Sequence, residues 1–463
     1  MKIFPKPREE IINIIRSGQL RIGIYGLGKI GLPLAVAYAN AGCHVIGVDI
    51  NPEVVKMVNQ AKSFLPHEPG VEEGLKLHIN NGRIKATTDI TQAAYEADVI
   101  LIIVPTSVDS YKRPNLQPLF SVCKGISKGL KIGDVVILES TVPPGTTEGP
   151  VRKILENNSG LVAGKDFALA FSPERVRSGQ VISDFIENYP KIVGGINKKS
   201  TDTVATFFQA IIKKGVIKVS NPRTAEAVKV FKGIYRDVNI ALANELAKLA
   251  EKLQIDIIEV IRAANTEPYS HIHFPGAGVG GHCIPVYPYF ALSIAEKLGI
   301  NMSMTYLARK INDSMPKYLV DLVIKGLNKA GKAIKGSRIA ILGLTFRGDV
   351  KETYNSPAKP IIEELKKLGA EIIAHDPLIT ESEAKKEFNV KKIESIEEVF
   401  KNADCMVLIT DHSQYKKIDI VKLIRLMNRP PVIIDGRNIF NPHELCKINV
   451  IYRGVGRNFP SNK

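Results

Sequence analysis

A glycine-rich turn near the N-terminus constrains the fold of this chain more than any other segment. The apolar run 21–25 is typical of a buried strand, and it leads directly into Gly26-Leu-Gly-Lys-Ile-Gly31 and an apolar helical run over 32–41. A second strand-like run over 45–48 ends at Asp49. This order of strand, turn, helix and strand predicts a β-α-β unit, which builds parallel sheets covered by helices.

The spacing of these glycines and the acid predicts a dinucleotide site. Gly26 permits the tight turn, Gly28 lets the backbone approach a pyrophosphate, and Gly31 allows the helix to pack closely on the strand. Asp49 is placed to accept both hydroxyls of a ribose, and its charge favours NAD over NADP. A purely structural glycine turn is the alternative. The predicted cofactor turn comprises Gly26, Gly28, Lys29, Ile30 and Gly31.

The rest of the chain extends the pattern and then repeats it. Further buried strands are predicted at 99–104, 135–138, 167–171 and 192–193, at intervals that suit an open doubly wound sheet. Apolar positions spaced by three and four predict a helix over 225–253 and more helix to about 330. A second strand, glycine turn and helix then begins at Arg338, and its next strand ends at Asp376. We therefore predict two Rossmann-like domains joined by a helical middle.

Composition excludes several classes of protein. The chain has 63 Lys or Arg and 47 Asp or Glu, a net charge of +16, but the two signs are interspersed, which is typical of a solvated surface rather than a nucleic-acid site. No apolar run reaches the roughly 20 residues that a membrane span needs. The first ten residues carry no signal-peptide core, so we expect a cytoplasmic protein.

The five cysteines are scattered and form no Cys-x-x-Cys pair, which argues against a disulfide framework or a zinc site, and we predict no metal. Cys283 differs from the others because it lies in the glycine-dense run Pro275–Pro285. Glycines at 276, 278, 280 and 281 let backbone amides approach a bound substrate. A thiolate there is a candidate nucleophile toward a carbonyl carbon, and a tight turn with a buried thiol is an equal alternative.

Three charged residues are further candidates. Glu174, in Ser-Pro-Glu-Arg after a predicted strand, could act as acid or base or orient a water, unless it belongs to a helix N-cap. Lys229 on the long helix could stabilise an oxyanion, although most helix lysines face water. Arg347 stands in the second turn, which lacks the third glycine. That turn therefore favours a mononucleotide-type anion on Arg347 over a second dinucleotide, and a surface salt bridge is the alternative.

Together these motifs resemble the UDP-glucose/GDP-mannose dehydrogenase family. Matching segments occur in order along nearly the whole chain: Gly26-Leu-Gly-Lys-Ile-Gly, Val104-Pro-Thr-Ser, Glu139-Ser-Thr-Val-Pro-Pro-Gly-Thr, Ser172-Pro-Glu-Arg-Val, Glu226-Ala-Val-Lys, Gly280-Gly-His-Cys-Ile-Pro and Gly343-Leu-Thr-Phe-Arg-Gly-Asp. The resemblance implies that C6 of a nucleotide sugar is oxidised twice, from alcohol to carboxylate, with two NAD per turnover.

The resemblance also implies the architecture. We expect an α/β chain of two Rossmann-like doubly wound domains joined by a long central helix and a helical dimerisation core. The predicted domains are residues 1–221, which bind NAD, residues 222–330, which carry the cysteine loop, and residues 331–463, which bind the UDP-sugar. We also expect a homo-oligomer, a dimer or a tetramer, that forms through the central helices and has no nucleic-acid or membrane partner.

Family roles are implied for individual residues. Cys283 matches the nucleophile that becomes a thioester, Lys229 the lysine that stabilises the oxyanion, and Glu174 the acid of the substrate loop. Asp49, Thr106 and Thr141 match cofactor-side positions. The predicted substrate-binding residues are Arg175, Val176, Lys229, Gly278, Gly280, Arg347 and Arg437.

Two positions depart from the family pattern. The family commonly has an asparagine four residues after this lysine and an aspartate four residues after this cysteine, but Gly233 and Tyr287 stand there. The aspartate is thought to help activate the hydrolytic water, so thioester hydrolysis is left without an assigned base unless Glu174 supplies it.

The motifs Pro173-Glu-Arg-Val and Gly-Gly-His-Cys-Ile-Pro are similar to the branch that acts on UDP-N-acetylhexosamines, and we favour the mannosamine over the glucosamine epimer. UDP-glucose is a further candidate substrate. The sequence is also compatible with a two-electron hydroxyacid-type dehydrogenase, which needs no thiol, and with a nucleotide-sugar binder that has lost catalysis.

Overall fold

The computed structural model describes residues 1–445 and 447–457, so Cys446 lies outside the described residues. The chain divides into two compact units. The first comprises Met1–Lys232 with Tyr289–Ile300, and the second comprises Gly233–Pro288 with Asn301–Lys463. The predicted domain boundaries after residues 221 and 330 stay predictions.

The first unit is built around one large sheet. The strands of this unit are β1 (Arg21–Tyr25), β2 (His44–Val48), β3 (Ile84–Thr87), β4 (Val99–Ile102), β5 (Ser107–Val108), β6 (Pro114–Asn115), β7 (Val135–Leu138), β8 (Ala168–Phe171), β9 (Lys191–Gly195) and β10 (Val216–Lys218). The sheet order is β10-β9-β8-β7-β4-β1-β2-β3, while β5 and β6 pair separately. Neighbouring strands of the sheet are parallel except β8 and β9, which are antiparallel. The run β3-β2-β1-β4-β7-β8 has the order of a dinucleotide-binding fold.

Helices cover both faces of this sheet, so its strands are apolar at successive positions rather than at alternate ones. In β4, Val99 and Leu101 enter one core and Ile100 and Ile102 enter the other. This double burial is the reason for the continuous apolar runs that the sequence shows at these strands.

Several of the helices up to residue 253 begin at side-chain caps or glycine turns. They are α1 (Arg8–Arg16), α2 (Gly31–Asn40), α3 (Pro52–Asn59), α4 (Val71–Asn80), α5 (Ile90–Glu96), α6 (Gln117–Gly129), α7 (Arg152–Ser159), α8 (Val181–Ser183), α9 (Lys198–Gln209) and α10 (Pro222–Leu253). The Asn51 side chain accepts from the Glu53 amide and the Asp89 side chain from the Gln92 amide, as N-cap residues do. π-helical turns occupy Thr147–Val151 and Asp184–Asn188.

The rest of the chain contains the second sheet. Its strands are β11 (Arg338–Leu342), β12 (Glu371–His375), β13 (Lys391–Lys392), β14 (Cys405–Leu408), β15 (Val432–Asp435) and β16 (Ile451–Gly454). The helices are α11 (Ile257–Ala264), α12 (Tyr287–Lys297), α13 (Ser303–Lys329), α14 (Ala358–Lys367), α15 (Glu381–Phe388), α16 (Ile396–Phe400), α17 (Ile420–Ile424) and α18 (Pro442–Leu445), with a 3₁₀ turn at Tyr415–Lys417.

The second sheet repeats the first. Its order is β13-β12-β11-β14-β15-β16, and its neighbouring strands are parallel. The predicted α/β fold with two Rossmann-like sheets and a long helix between them in the sequence is therefore confirmed. The antiparallel β9 was not predicted. No helix among the described residues is long and apolar enough to cross a membrane.

A buried polar chain joins α10 and α13 in the second unit. The Arg309 guanidinium contacts the Asp237 carboxylate, and both side chains are almost wholly buried. Asn312 donates to the same carboxylate at 2.8 Å, and Asn244 donates to Asn312 at 2.9 Å. The Asn244 side-chain oxygen then accepts from the Gly276 amide at 3.0 Å. This chain fixes the start of the glycine-dense loop that carries the exposed cysteine.

Candidate functional site

The first glycine turn has the geometry that its spacing predicted. Gly26 has φ +103°, and a Cβ there would lie 2.5 Å from the Ile103 carbonyl oxygen. A Cβ at Gly31 would lie 1.8 Å from the Gly26 carbonyl oxygen, so both positions require glycine. The half-buried Asp49 closes the turn because its carboxylate accepts from the Leu27 amide at 2.9 Å.

Two predicted cofactor-side residues come together at the carboxyl ends of adjacent strands. Thr106 follows β4 and Thr141 follows β7, and the Thr106 hydroxyl donates to the Thr141 carbonyl oxygen at 2.6 Å. Ligands bind to open α/β sheets at this edge, outside the carboxyl ends of the strands.

Glu174 lies at the same edge, in a buried cluster of charges. It is not in a helix N-cap, because the next helix begins only at Val181, so that alternative is wrong. One carboxylate oxygen accepts from the amides of Arg175 and Val176, at 2.6 and 3.1 Å. The other oxygen pairs with the buried Lys191 ammonium. Burial would raise the pKa of Glu174, but Lys191 and Lys229 outweigh it and hold the pKa below its usual value.

Arg175 and Val176 are positioned by this carboxylate. The Arg175 guanidinium donates to the Pro190 carbonyl oxygen. Val176 packs against the same hydrophobic core as Val99 and Leu101, on one face of the sheet. These contacts order the segment that begins at Glu174. The substrate-binding roles of both residues stay predictions.

Cys283 is the exposed thiol of the described residues, whereas Cys43, Cys123 and Cys405 are buried. Burial raises the pKa of Cys43 and of Cys123 to about 12, which keeps both as inert thiols at neutral pH. The Cys283 carbonyl accepts from the Tyr287 amide at 2.9 Å, so the residue stands at the start of α12. The alternative of a buried thiol in a tight turn is wrong.

The glycines before Cys283 serve a contact that the sequence did not predict. A Cβ at Gly280 would lie 2.5 Å from Phe346 Cβ, and a Cβ at Gly281 would lie 2.9 Å from its ring. The Gly281 amide donates to the Tyr354 carbonyl oxygen at 2.9 Å. The glycine-dense loop is therefore clamped to the turn after β11. Gly278 also approaches this segment, since its Cβ would lie 3.2 Å from Pro357.

This clamp brings the predicted basic residues to the cysteine loop. Arg347 is exposed and follows the clamped Phe346. Arg437, just after β15, pairs with Asp411 at 3.0 Å, and its guanidinium lies 3.1 Å from the position of a Cβ on Gly276. Burial would raise the pKa of Asp411, but Arg437 and Lys416 outweigh it and lower the pKa. The loop of the thiol and two basic side chains thus share one region of the second unit.

Several residues of these clusters were missed from the sequence. Glu139 and Lys191 complete the charge cluster around Glu174, and Asn244 and Asn355 hold the cysteine loop. Glu139 alone carried a usable signal, because it directly follows a buried strand, as Glu174 nearly does. The others act through tertiary contacts that local spacing does not encode.

Protein-family comparison covers most of the chain. Residues 20–212 match the NAD binding domain of the UDP-glucose/GDP-mannose dehydrogenase family, residues 223–314 its central domain and residues 340–442 its UDP binding domain. The chain is 37% identical over 438 residues to the UDP-N-acetyl-D-mannosamine dehydrogenase of Pyrococcus horikoshii, which covers 95% of this chain and 99% of that protein. The chain belongs to the UDP-glucose/GDP-mannose dehydrogenase family.

Solved structures of family members agree. The structure of a UDP-D-ManNAc dehydrogenase from Pyrococcus horikoshii superposes with a TM-score of 0.87 at 36% identity, covering 95% of this chain and 99% of that one. A UDP-glucose dehydrogenase from Pyrobaculum islandicum gives a TM-score of 0.84 at 26% identity, covering 95% and 98%. The chain is thus an NAD-dependent UDP-sugar dehydrogenase, which confirms the expected enzyme class and cofactor.

The first unit fits the family's cofactor and the second turn does not. At the first turn, a Cβ on Gly28 would have no atom within 4 Å, so the space beside the backbone is open there. Part of the Asp49 surface is exposed to solvent. At the second turn, the equivalent Asp376 is fully buried and contacts His412 at 3.2 Å and the Leu344 amide at 2.7 Å. The first turn therefore leaves its carboxylate partly exposed, whereas the second turn buries the equivalent carboxylate among internal contacts.

The two departures from the family pattern contact each other. A Cβ at Gly233 would lie 3.4 Å from both Cβ and Cδ2 of Tyr287, whose side chain is buried. The Tyr287 ring thus takes the space beside the helix where the family commonly has an asparagine. The two departures therefore lie in contact, and a side chain at position 233 would meet the Tyr287 ring.

Proposed function

We propose that this enzyme oxidises C6 of a UDP-N-acetylhexosamine from alcohol to carboxylate, with UDP-N-acetyl-D-mannosamine preferred. Relatives of that name at 36–37% identity over most of the chain support the choice of sugar. The observation that carries the reaction is the exposed Cys283 on a loop clamped to the turn of the UDP-binding domain. Such a loop holds a nucleophile next to the part of the protein that recognises the nucleotide.

The proposed chemistry uses Cys283 once per sugar. Oxidation of the alcohol first removes a hydride from C6 and a proton from its hydroxyl. The Cys283 thiolate then forms a C–S bond to the aldehyde carbon, and loss of a second hydride gives a thioester. Water adds to this carbon, the C–S bond breaks, and the carboxylate and the thiol are released. When bound, NAD would accept the hydride at each oxidation, one NAD molecule for the first and a second NAD molecule for the second.

Lys229 and Glu174 take the electrostatic roles in this scheme. The half-buried Lys229 ammonium stabilises the negative oxygen that develops when the thiolate or water adds to the carbonyl. Glu174, held as a carboxylate, accepts the proton of the hydrolytic water. Tyr287 is a poor base because a tyrosine has a pKa near 10, about 3 units above neutral pH.

The remaining site residues are assigned by the same proposal. The cofactor residues are Gly26, Gly28, Lys29, Ile30, Gly31, Asp49, Thr106 and Thr141, and the substrate residues are Arg175, Val176, Gly278, Gly280, Arg347 and Arg437. Arg347 and Arg437 supply positive charge to the diphosphate, since guanidinium groups bind phosphate oxygens in pairs.

A stoichiometric assay tests the reaction. NADH is counted by its absorbance against a limiting amount of UDP-N-acetylmannosamine, and we expect two NADH and one uronic acid per sugar. Cys283→Ala and Cys283→Ser should abolish acid formation, whereas Cys123→Ser should keep it because that thiol is buried. One NADH per sugar with release of the aldehyde would refute the four-electron reaction, and full activity of Cys283→Ala would favour a hydroxyacid-type dehydrogenase.

The sugar preference is tested in the same assay. UDP-N-acetylmannosamine, UDP-N-acetylglucosamine and UDP-glucose are compared by kcat/KM, and we expect the mannosamine to have the largest value. A larger value for either of the other sugars refutes the preferred substrate without affecting the thioester chemistry. Binding of sugar and NAD by calorimetry without any NADH would instead indicate a protein that has lost catalysis.

We also propose that a second copy of this chain covers one face of α10. Tyr235, Leu242, Leu249 and Leu253 expose 46–59% of their surface, and the first three recur every seven residues along one stripe. Such a stripe is costly to leave in water. Sedimentation of the protein should give a dimer or tetramer, and Leu242→Glu with Leu249→Glu should give a monomer. A wild-type monomer at micromolar concentration would refute the interface.

A further inference from the structure

The charge cluster around Glu174 contains two residues to which no role has been given. Glu139 directly follows β7, and Lys191 is the first residue of β9. Because β9 runs antiparallel to β8, its first residue lies at the edge where β7 and β8 end. The fold therefore brings Glu139, Glu174 and Lys191 to one point at the carboxyl edge of the first sheet.

The cluster is closed to solvent, and its two acids share one directly paired ammonium, that of Lys191. The Lys191 ammonium lies 2.9 Å from the Glu139 carboxylate and 2.5 Å from that of Glu174, and all three side chains are at most 7% exposed. The rings of Phe185 and Phe208 lie 5.2 Å from the same ammonium. Two adjacent buried carboxylates repel each other, and one proton on either acid relieves that repulsion.

The contacts decide which acid carries that proton. Glu174 pairs with the Lys191 ammonium and accepts hydrogen bonds from two backbone amides, and all three contacts favour its ionised form. The Lys191 ammonium is the one direct ion-pair partner of Glu139 among the described residues, and the second oxygen of Glu139 has no hydrogen-bond partner there. Lys191 therefore supports the charge of Glu174, and the proton belongs to Glu139.

We propose that Lys191 and Glu139 are positioning residues for Glu174: the Lys191 ammonium keeps the Glu174 carboxylate ionised and aimed, and Glu139 holds the proton of the cluster. This inference rests on the proposed role of Glu174 in the oxidation of the UDP-sugar. It assigns no bond-making step to either residue.

The directions of the pKa shifts in the cluster agree with these contacts. Burial raises the pKa of Glu139 to about 7, although Lys191 opposes the rise. Burial would lower the pKa of Lys191, but the two carboxylates outweigh it and raise the pKa, so Lys191 stays charged. Two other groups face the cluster. Lys229 on α10 favours the ionised form of both carboxylates. Burial and the two acids raise the pKa of Tyr38 on α2.

The first test removes the cation. Lys191→Met keeps the aliphatic length but leaves two buried carboxylates, which share a proton, so the ionised fraction of Glu174 falls at low pH. We expect the acid limb of the kcat profile to move up by about 1 to 2 pH units, since an opposite charge shifts a neighbouring pKa by about 1 to 3 units. At pH 6, kcat falls by about tenfold or more, and it recovers toward pH 9. Lys198→Met, at an exposed lysine paired with Asp202, leaves the profile unchanged.

The second test is a charge suppression. In Lys191→Met with Glu139→Gln the competing carboxylate is gone, so Glu174 is again the preferred site of negative charge. The acid limb moves back down, and kcat at pH 6 exceeds that of Lys191→Met alone. If Lys191 and Glu139 had only a structural role, the opposite would be expected. The kcat of the double variant would then not exceed that of Lys191→Met at any pH. The double variant also has one buried acid instead of two, so it should fold where the single variant fails.

A readout independent of turnover separates this inference from the proposed reaction. In infrared difference spectra of the wild-type enzyme without substrate, a carboxylic-acid carbonyl band should disappear as the pH rises from 6 to 8. Glu139→Gln should lack this band, while Lys198→Met keeps it. If wild-type enzyme makes no acid from any UDP-sugar but the band behaves as stated, the proposed reaction fails and the cluster stands. A band that persists in Glu139→Gln, or a profile that Lys191→Met lowers equally at all pH values, overturns the inference.

Discussion

The contact between Gly233 and Tyr287 predicts opposite effects for two substitutions at one position. A Cβ at Gly233 lies 3.4 Å from the nearest atoms of Tyr287, which is ordinary van der Waals contact. A methyl group therefore fits at this position, whereas the three further heavy atoms of an asparagine project toward the ring. Gly233 is inside α10, so any substitution also changes helix propensity.

The magnitudes follow from these two terms. Gly233→Ala gains about 1 kcal/mol of helix propensity and should raise the melting temperature by about 2 to 4 °C. Gly233→Asn gains only about 0.3 kcal/mol and must displace the buried ring, which costs about 1 to 3 kcal/mol. We expect a net loss of about 0.7 to 2.7 kcal/mol for the asparagine variant.

A double-mutant cycle isolates the contact. In a Tyr287→Ala background the ring is gone, so Gly233→Asn should no longer destabilise, and the coupling free energy should be about 1 to 3 kcal/mol. Thermal unfolding followed by circular dichroism measures all four proteins. Equal effects of Gly233→Asn in the two backgrounds, within about 0.5 kcal/mol, would refute the argument that the two departures from the family are coupled.

Three further predictions concern the site and its pH dependence. Gly280→Ala places a Cβ 2.5 Å from Phe346 Cβ, so the cysteine loop moves and kcat/KM for the UDP-sugar falls on the order of 100-fold. Asp49→Ala removes the acceptor of the Leu27 amide and the acid that repels a 2′-phosphate, so KM for NAD rises about tenfold or more and the preference over NADP shrinks. Burial raises the pKa of Glu226 from 4.5 to about 7, so the folded state holds a proton that the unfolded state loses, and stability relative to Glu226→Gln falls by about 3 kcal/mol as the pH rises across that range.

Each of these has its own control. Gly149→Ala adds a methyl group with no atom within 4 Å and should keep full activity, while calorimetry should find NAD binding unchanged in Gly280→Ala. The Asp49 variant should keep its KM for the UDP-sugar, and an equal rise in both KM values contradicts a cofactor role. If the difference between the urea midpoints of wild type and Glu226→Gln stays constant from pH 4.5 to 7, Glu226 is not the titrating group.

Much of the fold was predictable because its signals are local. The turn at Gly26 and the acid at Asp49 belong to one β-α-β unit of about 30 residues, so their spacing in the sequence fixes their spacing in space. The same is true of the second turn at Gly343. Double burial of the strands and the spacing in α10 likewise depend on near neighbours.

The missing parts depend on distant neighbours. Lys191 meets Glu174 only because β9 reverses direction beside β8, and no local pattern shows that reversal. The glycines before Cys283 were predicted to admit a substrate, but Gly280 admits Phe346, which lies 66 residues further along the chain. Glycine spacing shows that something approaches the backbone closely without showing what approaches.

The buried Asp376 has a consequence for the order of events in time. Of the two related turns, only the one at Asp49 leaves its carboxylate partly exposed, so in the proposed four-electron reaction the two NAD molecules of one turnover would occupy that turn in succession. The first NADH has to depart and a fresh NAD has to arrive while the half-oxidised sugar waits. Retention of the sugar during that exchange is therefore as important as the speed of either oxidation. A covalent bond to Cys283 and a nucleotide held by the second unit would both prevent its escape.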